Sequence, residues 1–558
     1  MPNGCNPSHH PSRYSSRKLL RRARHAQDAG DAATADRLYA AVLQSEPDNF
    51  DALHGRGRLH CQWGQFDSAL TLIQTALKID RGSADGFASL GLVFYYLRRL
   101  EDALTSFDEG LAIAPDNAEL LNMRGVALLE LGRAGDALGG FEAALAADPD
   151  LLDARGNYGN ALLKLNRPAA AIAAYDQALA RAPDNAGLLT NRAIALRKLD
   201  RPHEALMSVS RALAGQPDFA QAKFVDSLVR LTLGDFRDGW RAYESRWLGR
   251  NLSTRRRNFT APLWLGDGQL EGLLLEGLPL EGLPLEGLPL AGKTILLHAE
   301  QGFGDTLQFL RYAPMVAGQG AKVVLEVQRE LVRLLSDLDG VDVVIGRGEA
   351  LPAFDLHCPL LSLPLAFGTE LPTIPASVPY IAAPAADVAL WRECLPQGRP
   401  RIGVVWSGDP GHDNDVNRSL RLKMLAPLFD VPAIDFFSLQ YRIRDEDSET
   451  LREFPNLLPL ERGLRDFADT AAVVANLDAV ISIDSAVAHL AGAMGKDVFL
   501  LLPFGADFRW LRERTDSPWY PSVQLFRQPR FDDWPGAVLA LTEQIRARFA
   551  ASVQKLSA

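Results

Sequence analysis

Asp484 and Ser485 stand where a short apolar run, Ala479-Val480-Ile481-Ser482-Ile483, breaks and a run of small residues, 486–494, begins. A carboxylate and a hydroxyl at the carboxyl end of a buried parallel strand occupy the edge at which open α/β sheets bind ligands. The helix that follows offers free N–H groups and partial positive charge at its N-terminus, which suits a phosphate. The same residues also fit a plain structural turn in which Asp484 or Ser485 is the N-cap. The residues alone leave both readings open. A second candidate is the glycine-rich turn Glu300-Gln301-Gly302-Phe303-Gly304-Asp305, which follows the apolar run Thr294–His298. Read locally, Asp305 is an N-cap for a helix over 306–316.

Both candidates need strands to carry them. Gly495 ends the small-residue helix as a C-terminal glycine does, and the apolar run Val498–Leu502 follows at once, so 478–498 opens a βαβ unit. From Lys293 onward strand and helix patterns alternate: strands Thr294–His298, Lys322–Val327 and 342–345, with helices over 306–316 and 329–338. That is a doubly wound half-domain, residues 293–384. A second series, residues 400–550, opens on Arg401-Ile402-Gly403-Val404-Val405-Trp406-Ser407-Gly408. It runs through helix 422–429, strand 435–439, helix 467–476 and the 478–498 unit to a closing amphipathic helix at 534–549.

With 558 residues the chain has room for three or four domains. Its 47% hydrophobic and 23% charged content is that of an ordinary globular protein, and a net charge of −10 argues against nucleic acid as a partner. No apolar stretch reaches the roughly 18 residues of a membrane span. A basic leader, residues 1–15, continues into Arg17, Lys18, Arg21, Arg22 and Arg24 without the apolar core of a signal peptide. Cys5, Cys61, Cys358 and Cys394 are scattered, with no CxxC pair, so neither zinc nor a disulfide frame is expected and a cytoplasmic location fits. No cofactor is expected.

The first 250 residues repeat with a period of 34: Pro47, Pro115, Pro149, Pro183 and Pro217 lie on one grid, with Arg81 at the remaining point. In that register Gly57, Gly91, Gly125, Gly159 and Ala193 fall at one small position, and Ala69, Ala103, Ala137, Ala171 and Ala205 at another. Phe107, Phe141 and Tyr175 share a large position. The pattern resembles the tetratricopeptide repeat, which implies an α-solenoid of six to seven helical hairpins over residues 16–253. One hairpin cannot bury its apolar face alone, so each leans on the next. The resemblance further implies a groove that takes a peptide or partner protein. Asn157 and Asn191, at the sixth repeat position, would line it, either offering both amide edges to a peptide backbone or standing as plain exposed polar residues. A connector, residues 254–292, follows with Arg255-Arg256-Arg257, Trp264 and a five-residue array of LEGLP type over 271–290. Its Pro and Gly content reads as an expanded loop.

The two α/β halves, with the turn Gly302-Phe303-Gly304-Asp305 in front and Asp484-Ser485-Ala486-Val487-Ala488-His489 behind, resemble a GT-B glycosyltransferase. The rear motif is similar to the nucleotide-sugar motif of glycosyltransferase family 9, which includes the bacterial heptosyltransferases. Repeats joined to such a pair are similar in architecture to the protein O-GlcNAc transferases. The resemblance implies a metal-independent, inverting transfer of sugar from a nucleotide donor to a protein or glycan hydroxyl. It implies Asp305 as catalytic base, with Gln301, Gly302 and Gly304 shaping the front turn. Ser407 and Gly408 would face the diphosphate, with Arg418 and Ser419 neutralising it. Asp484, Ser485 and His489 would contact ribose and phosphates, and Gln440 the base or ribose. Ala486 stands where the family usually has glycine. The alternative is a non-catalytic scaffold: repeats that assemble partners, attached to a degenerate GT-B domain.

Overall fold

The computed structural model describes residues 13–248, 256–266, 289–412, 414–460 and 463–557. Residues 1–12 of the basic leader, Arg255 and the LEGLP array over 271–288 lie outside the described residues. Packing divides the chain into two units, before and after the 183/184 peptide.

In the first unit the repeat grid becomes helical hairpins. First helices Phe50–Gln62, Ala84–Tyr96, Ala118–Glu130 and Leu152–Lys164 pair with second helices Phe66–Ile79, Leu100–Ile113, Ala134–Ala147 and Pro168–Leu179. The polar residue two places after the grid position is a working cap. Asn49, Ser83 and Asn117 each accept the backbone N–H three residues on, at 3.0 Å. The hairpin ahead of these, Arg13–Asp28 with Ala32–Ser45, starts three residues earlier than the expected unit, so the leader's last residues are already helical. The shared small position is small because the second helix aims a large side chain at it. A Cβ on Gly125 would stand 2.6 Å from the Phe141 ring, and one on Gly159 2.5 Å from Tyr175. Phe107, Phe141 and Tyr175 are buried.

The second unit contains the last two hairpins as well as the sheets. Helices Ala186–Lys198, Pro202–Gly215, Ala220–Thr232 and Phe236–Tyr243, with the turn Glu244–Trp247, keep the repeat register. The apolar face of the last hairpin nevertheless enters the sheet core: Leu231, Phe236, Trp240 and Tyr243 pack among Phe309, Phe508 and Trp519. Trp240 sets its edge on Phe309 at 5.9 Å and Phe508 at 5.6 Å. The connector takes part too, since Trp264 is buried and its N–H donates to the His357 carbonyl at 2.8 Å.

Two all-parallel sheets follow. Strands β1 (Thr294–His298), β2 (Lys322–Val327), β3 (Val343–Gly346) and β4 (Leu356–Pro359) are ordered β3-β2-β1-β4. Strands β5 (Arg401–Val405), β6 (Asp435–Ser438), β7 (Leu457–Pro459), β8 (Ala479–Ile483), β9 (Val498–Leu502) and β10 (Val523–Arg527) are ordered β10-β9-β8-β5-β6-β7. β1, β5, β8 and β9 carry the near-continuous burial of strands covered on both faces. In each sheet the winding reverses once, between β1 and β4 in the first and between β5 and β8 in the second. The carboxyl ends of the strands at such reversals are where open α/β sheets bind ligands. Four expected helices differ in detail: the 329–338 helix stops at Leu335, and the closing helix runs on to Ser557. The 306–316 helix starts earlier, at Phe303, and is divided into Phe303–Phe309, a tight turn Leu310–Tyr312, and Ala313–Gly318. The 422–429 helix is a tight turn Leu422–Leu425 followed by Ala426–Phe429.

Candidate functional site

The two reversal points meet. Gly304 lies against the rear motif so closely that a Cβ there would stand 2.9 Å from the His489 ring and 3.6 Å from the Cα of Ala486. Glycine is required because the N-termini of helices Phe303–Phe309 and Ala486–Ala493 approach each other here. The structure therefore brings Gly302, Gly304 and Asp305 to Asp484, Ser485, Ala486 and His489.

Asp305 is not an N-cap. It is the third residue of its helix, whose N-cap is Gly302, and its Oδ2 accepts the Gly302 N–H at 3.0 Å. Its Oδ1 accepts from Arg509 Nη2. Gln301 faces Tyr243, their side chains 3.2 Å apart.

On the rear side Ser485 is the N-cap of helix Ala486–Ala493, accepting the Ala488 N–H at 3.4 Å. The structural reading of that residue therefore holds, without removing the free N–H groups of the first turn. Asp484 gives its carbonyl to Arg418 Nη1 at 3.2 Å. Burial first, then the charge of Asp507, pushes the Asp484 carboxyl up to about 6. His489 is buried, with Nδ1 3.0 Å from Tyr520 Oη, its ring stacked on Trp510, and Nε2 3.7 Å from Asp484 Oδ1.

The loop after β5 supplies the remaining groups. Arg418 lies over Gly408, where a Cβ would stand 2.8 Å from its guanidinium. Gly408 N–H donates to Ser419 Oγ at 2.9 Å, and Ser419 Oγ donates to Asp415 Oδ1 at 2.6 Å. Arg444 locks the loop by donating to Asp415 Oδ2 at 2.6 Å and to the Gly408 carbonyl at 3.0 Å. Gln440 belongs to this scaffold. Its Oε1 accepts the N–H groups of Trp406 and Ser407 at 3.3 Å each, and its Nε2 donates to the Ser407 carbonyl at 2.8 Å. Oε1 is fully engaged by the loop, and Nε2 keeps one further N–H beyond its bond to Ser407. Four polar atoms of this loop and of the residue that locks it are buried without a hydrogen-bond partner: Ser407 Oγ, Asn417 Nδ2, Arg418 Nε and Arg444 Nε. A buried group left unpaired costs roughly 1–3 kcal/mol, so a ligand or water that bonded these atoms would recover that cost.

Asn157 and Asn191 fall in different packing units, Asn157 in the first and Asn191 in the second. Asn157 donates to Asn122 Oδ1 at 3.0 Å and accepts from Asn160 at 3.5 Å, which engages its amide along the first helices of the repeats. Asn191 is half-buried on helix Ala186–Lys198 in the second unit.

Sequence reasoning missed Asp507 and Arg509, two positions apart in the segment after β9. Arg509 Nη1 donates to Asp507 Oδ1 at 2.7 Å and Nε to Gln308 Oε1 at 2.7 Å. The available signal was an acid and a base, Asp507-Phe508-Arg509, just past the carboxyl end of an apolar strand.

His489 makes the fold acid-sensitive. Burial first, then the charges of Arg509 and Arg311, lowers its pKa from 6.5 to about 3. Below pH 6.5 the unfolded chain binds a proton that the folded chain refuses, so stability falls as pH drops from 6.5 toward 3. At pH 5 the loss from this group is about 2 kcal/mol. Melting curves at pH 7.5 and pH 5 are expected to show the loss in the natural chain. In His489→Gln the slope should shrink, and an unchanged slope would assign the acid sensitivity elsewhere.

Comparison with known proteins identifies the repeats. Residues 26–90, 89–151 and 128–187 match family models of the tetratricopeptide repeat, so the chain carries tetratricopeptide repeats, a module for peptide or protein partners. Protein FlbA of Caulobacter vibrioides is 28% identical over 363 residues, covering 60% of this chain and 56% of that protein. The chain thus spans little more than half the length of that curated relative. Among solved structures, YrrB, described as a TPR protein with an unusual peptide-binding site, is 20% identical, with a TM-score of 0.28 over 33% of this chain and 95% of that one. A tetratricopeptide repeat protein of Parabacteroides merdae is 17% identical, with a TM-score of 0.37 over 43% of this chain and 94% of that one. Among the described residues no helix is long and apolar enough to cross a membrane.

Proposed function

We propose that the two α/β halves form a GT-B glycosyltransferase that moves a sugar from a nucleotide-sugar donor to a hydroxyl of a protein or glycan, with the repeats selecting the acceptor. One observation carries the reading. The carboxyl edge of the sheet at the β5/β8 reversal holds the unpartnered Ser407 Oγ and Arg418 Nε beside a helix N-terminus, and Asp305 reaches the same place from the other sheet.

In this reading the donor diphosphate lies at the N-terminus of helix Ala486–Ala493, under Arg418, with Ser407 Oγ as a further partner. Asp305 takes the proton from the acceptor hydroxyl as its oxygen attacks the sugar carbon. The bond from that carbon to the diphosphate oxygen breaks, its electron pair leaves with the nucleotide, and the configuration inverts. The helix N–H groups and Arg418 meet the growing negative charge, the task a divalent metal performs in other transferases.

The test uses the full purified chain and a panel of nucleotide sugars. The cognate donor should raise the melting temperature, and slow release of nucleoside diphosphate should persist in the presence of a chelator. A panel that neither stabilises the protein nor is hydrolysed would remove the enzyme reading and leave the interaction scaffold.

A further inference from the structure

Arg509 joins elements that belong to the two different sheets. It comes from the segment after β9 of the six-stranded sheet, yet two of its three side-chain partners, Asp305 and Gln308, sit on helix Phe303–Phe309 beside the four-stranded sheet. The third, Asp507, is on its own segment. The side chain is nine-tenths buried, and its guanidinium rests over the Phe508 ring at 4.5 Å. Both neighbours of the Asp305–Arg509 pair touch the rear motif. Gly304 abuts Ala486, the first residue of the motif helix, and Trp510 stacks on His489 with ring centres 5.4 Å apart.

The pairing has a chemical consequence. Asp305 has both carboxylate oxygens engaged, Oδ2 by the Gly302 N–H and Oδ1 by Arg509. Each oxygen keeps a second lone pair, but the Arg509 guanidinium crowds Oδ1, the one oxygen not tied into the cap of its own helix. Arg509, by contrast, faces two carboxylates, so it can surrender one and keep a counter-ion in Asp507. A phosphate oxygen, like a carboxylate oxygen, is an ionised acceptor, so it can compete with Asp305 for the Nη2 hydrogens.

We propose that Arg509 is a second phosphate-binding guanidinium of the donor site, parked on Asp305 until a nucleoside diphosphate group displaces it. Donor binding then turns Nη2 from Asp305 Oδ1 to a phosphate oxygen while Nη1 stays on Asp507. Asp305 keeps its Gly302 bond and gains a free Oδ1 for the acceptor. The donor therefore binds first, and the base is uncovered only when a donor is present. This rests on the glycosyltransferase reading above and adds to it the order of binding and the residue that enforces it.

Titration calorimetry on the full chain tests the exchange, with uridine, adenosine, guanosine and cytidine diphosphates as probes. Arg509→Gln should weaken the diphosphate that binds the natural protein by about tenfold or more, with Arg509→Lys between the two. Asp305→Asn should tighten binding several-fold, because it removes the carboxylate that competes for the guanidinium. In Asp305→Asn/Arg509→Gln that gain should vanish. A merely structural Arg509 would not make loss of its partner improve binding. If the natural protein binds a diphosphate and Asp305→Asn binds it equally or more weakly, the inference is overturned while the functional reading stands. If none of the four probes binds the natural protein, both fall. Should Arg509→Gln fail to fold, Asp305→Asn and Arg509→Lys decide the matter by themselves.

Discussion

Asp305→Asn is expected to lower kcat for sugar transfer by about 100- to 10,000-fold, the usual contribution of a positioned general base. The substitution preserves shape. An asparagine Oδ1 can still accept the Gly302 N–H, so the capping bond at the start of helix Phe303–Phe309 survives. What disappears is the ability to take a proton from the acceptor as the oxygen attacks. Because that transfer exists only in the transition state, the loss belongs in kcat, and donor affinity should not fall with it. Arg418→Ala makes the contrast. Its guanidinium lies over Gly408 and bonds the Asp484 carbonyl, on the donor side, so its loss should weaken diphosphate binding as well as slow turnover. Steady-state kinetics with calorimetry separates the two. Retention of turnover within a few-fold in Asp305→Asn would deny it the role of base. Loss of diphosphate binding in Asp305→Asn with normal binding in Arg418→Ala would mean the two assignments are reversed.

Much of this site could be read from the chain because its parts are local. A strand, a turn and a small-residue helix lie within some twenty residues, and the polar groups at the strand end follow from the order of residues alone. The repeats were readable for the same reason: a 34-residue period with Gly125 opposite Phe141 is a nearest-neighbour pattern. What escaped was long-range. Arg509 meets Asp305 across 204 residues of sequence, and no periodicity marks such a pair. Gln440 looked like a ligand because it follows a strand, whereas in place its amide closes the loop behind Ser407. β4, β7 and β10 lack a clean apolar run: His357 and Pro359 interrupt β4, Pro459 ends β7 after two leucines, and Gln524 and Arg527 break β10. The division of the chain was hidden by its own regularity. The repeat register continues through Trp247, yet the aromatic faces of the last hairpin serve the sheets, and the packing boundary falls at 183/184. A fragment meant to keep the α/β halves intact therefore has to begin near residue 184 rather than near 291.

That last hairpin also holds the most consequential buried charge. Arg246 is 2% exposed, and it donates to Glu244 at 2.5 Å, to Glu300 at 2.9 Å and to Ser362 Oγ at 2.7 Å, so it fastens the final repeat to the carboxyl ends of β1 and β4. Arg246→Met keeps an apolar stem against the Tyr243 and Trp247 rings but strands two carboxylates in the interior. The expected cost is about 3–5 kcal/mol, the range for breaking a buried ion pair from one side. The pH dependence identifies the cause. Burial, opposed by Arg246, pushes Glu300 from its usual 4.5 up to about 7. Between those values the folded chain holds a proton that the unfolded chain has released, so this group's contribution falls as pH rises from 4.5 to 7 and is flat above. Without the guanidinium the folded pKa moves higher still, and the fall continues past pH 7. The gap in melting temperature between the natural chain and Arg246→Met should thus widen from pH 7 to pH 8.5. Adding Glu300→Gln to Arg246→Met should recover part of the stability and close that extra gap, because it removes the stranded charge. A gap of the same size at both pH values would mean that Arg246 acts through packing on Tyr243 and Trp247 and not through the two carboxylates it neutralises.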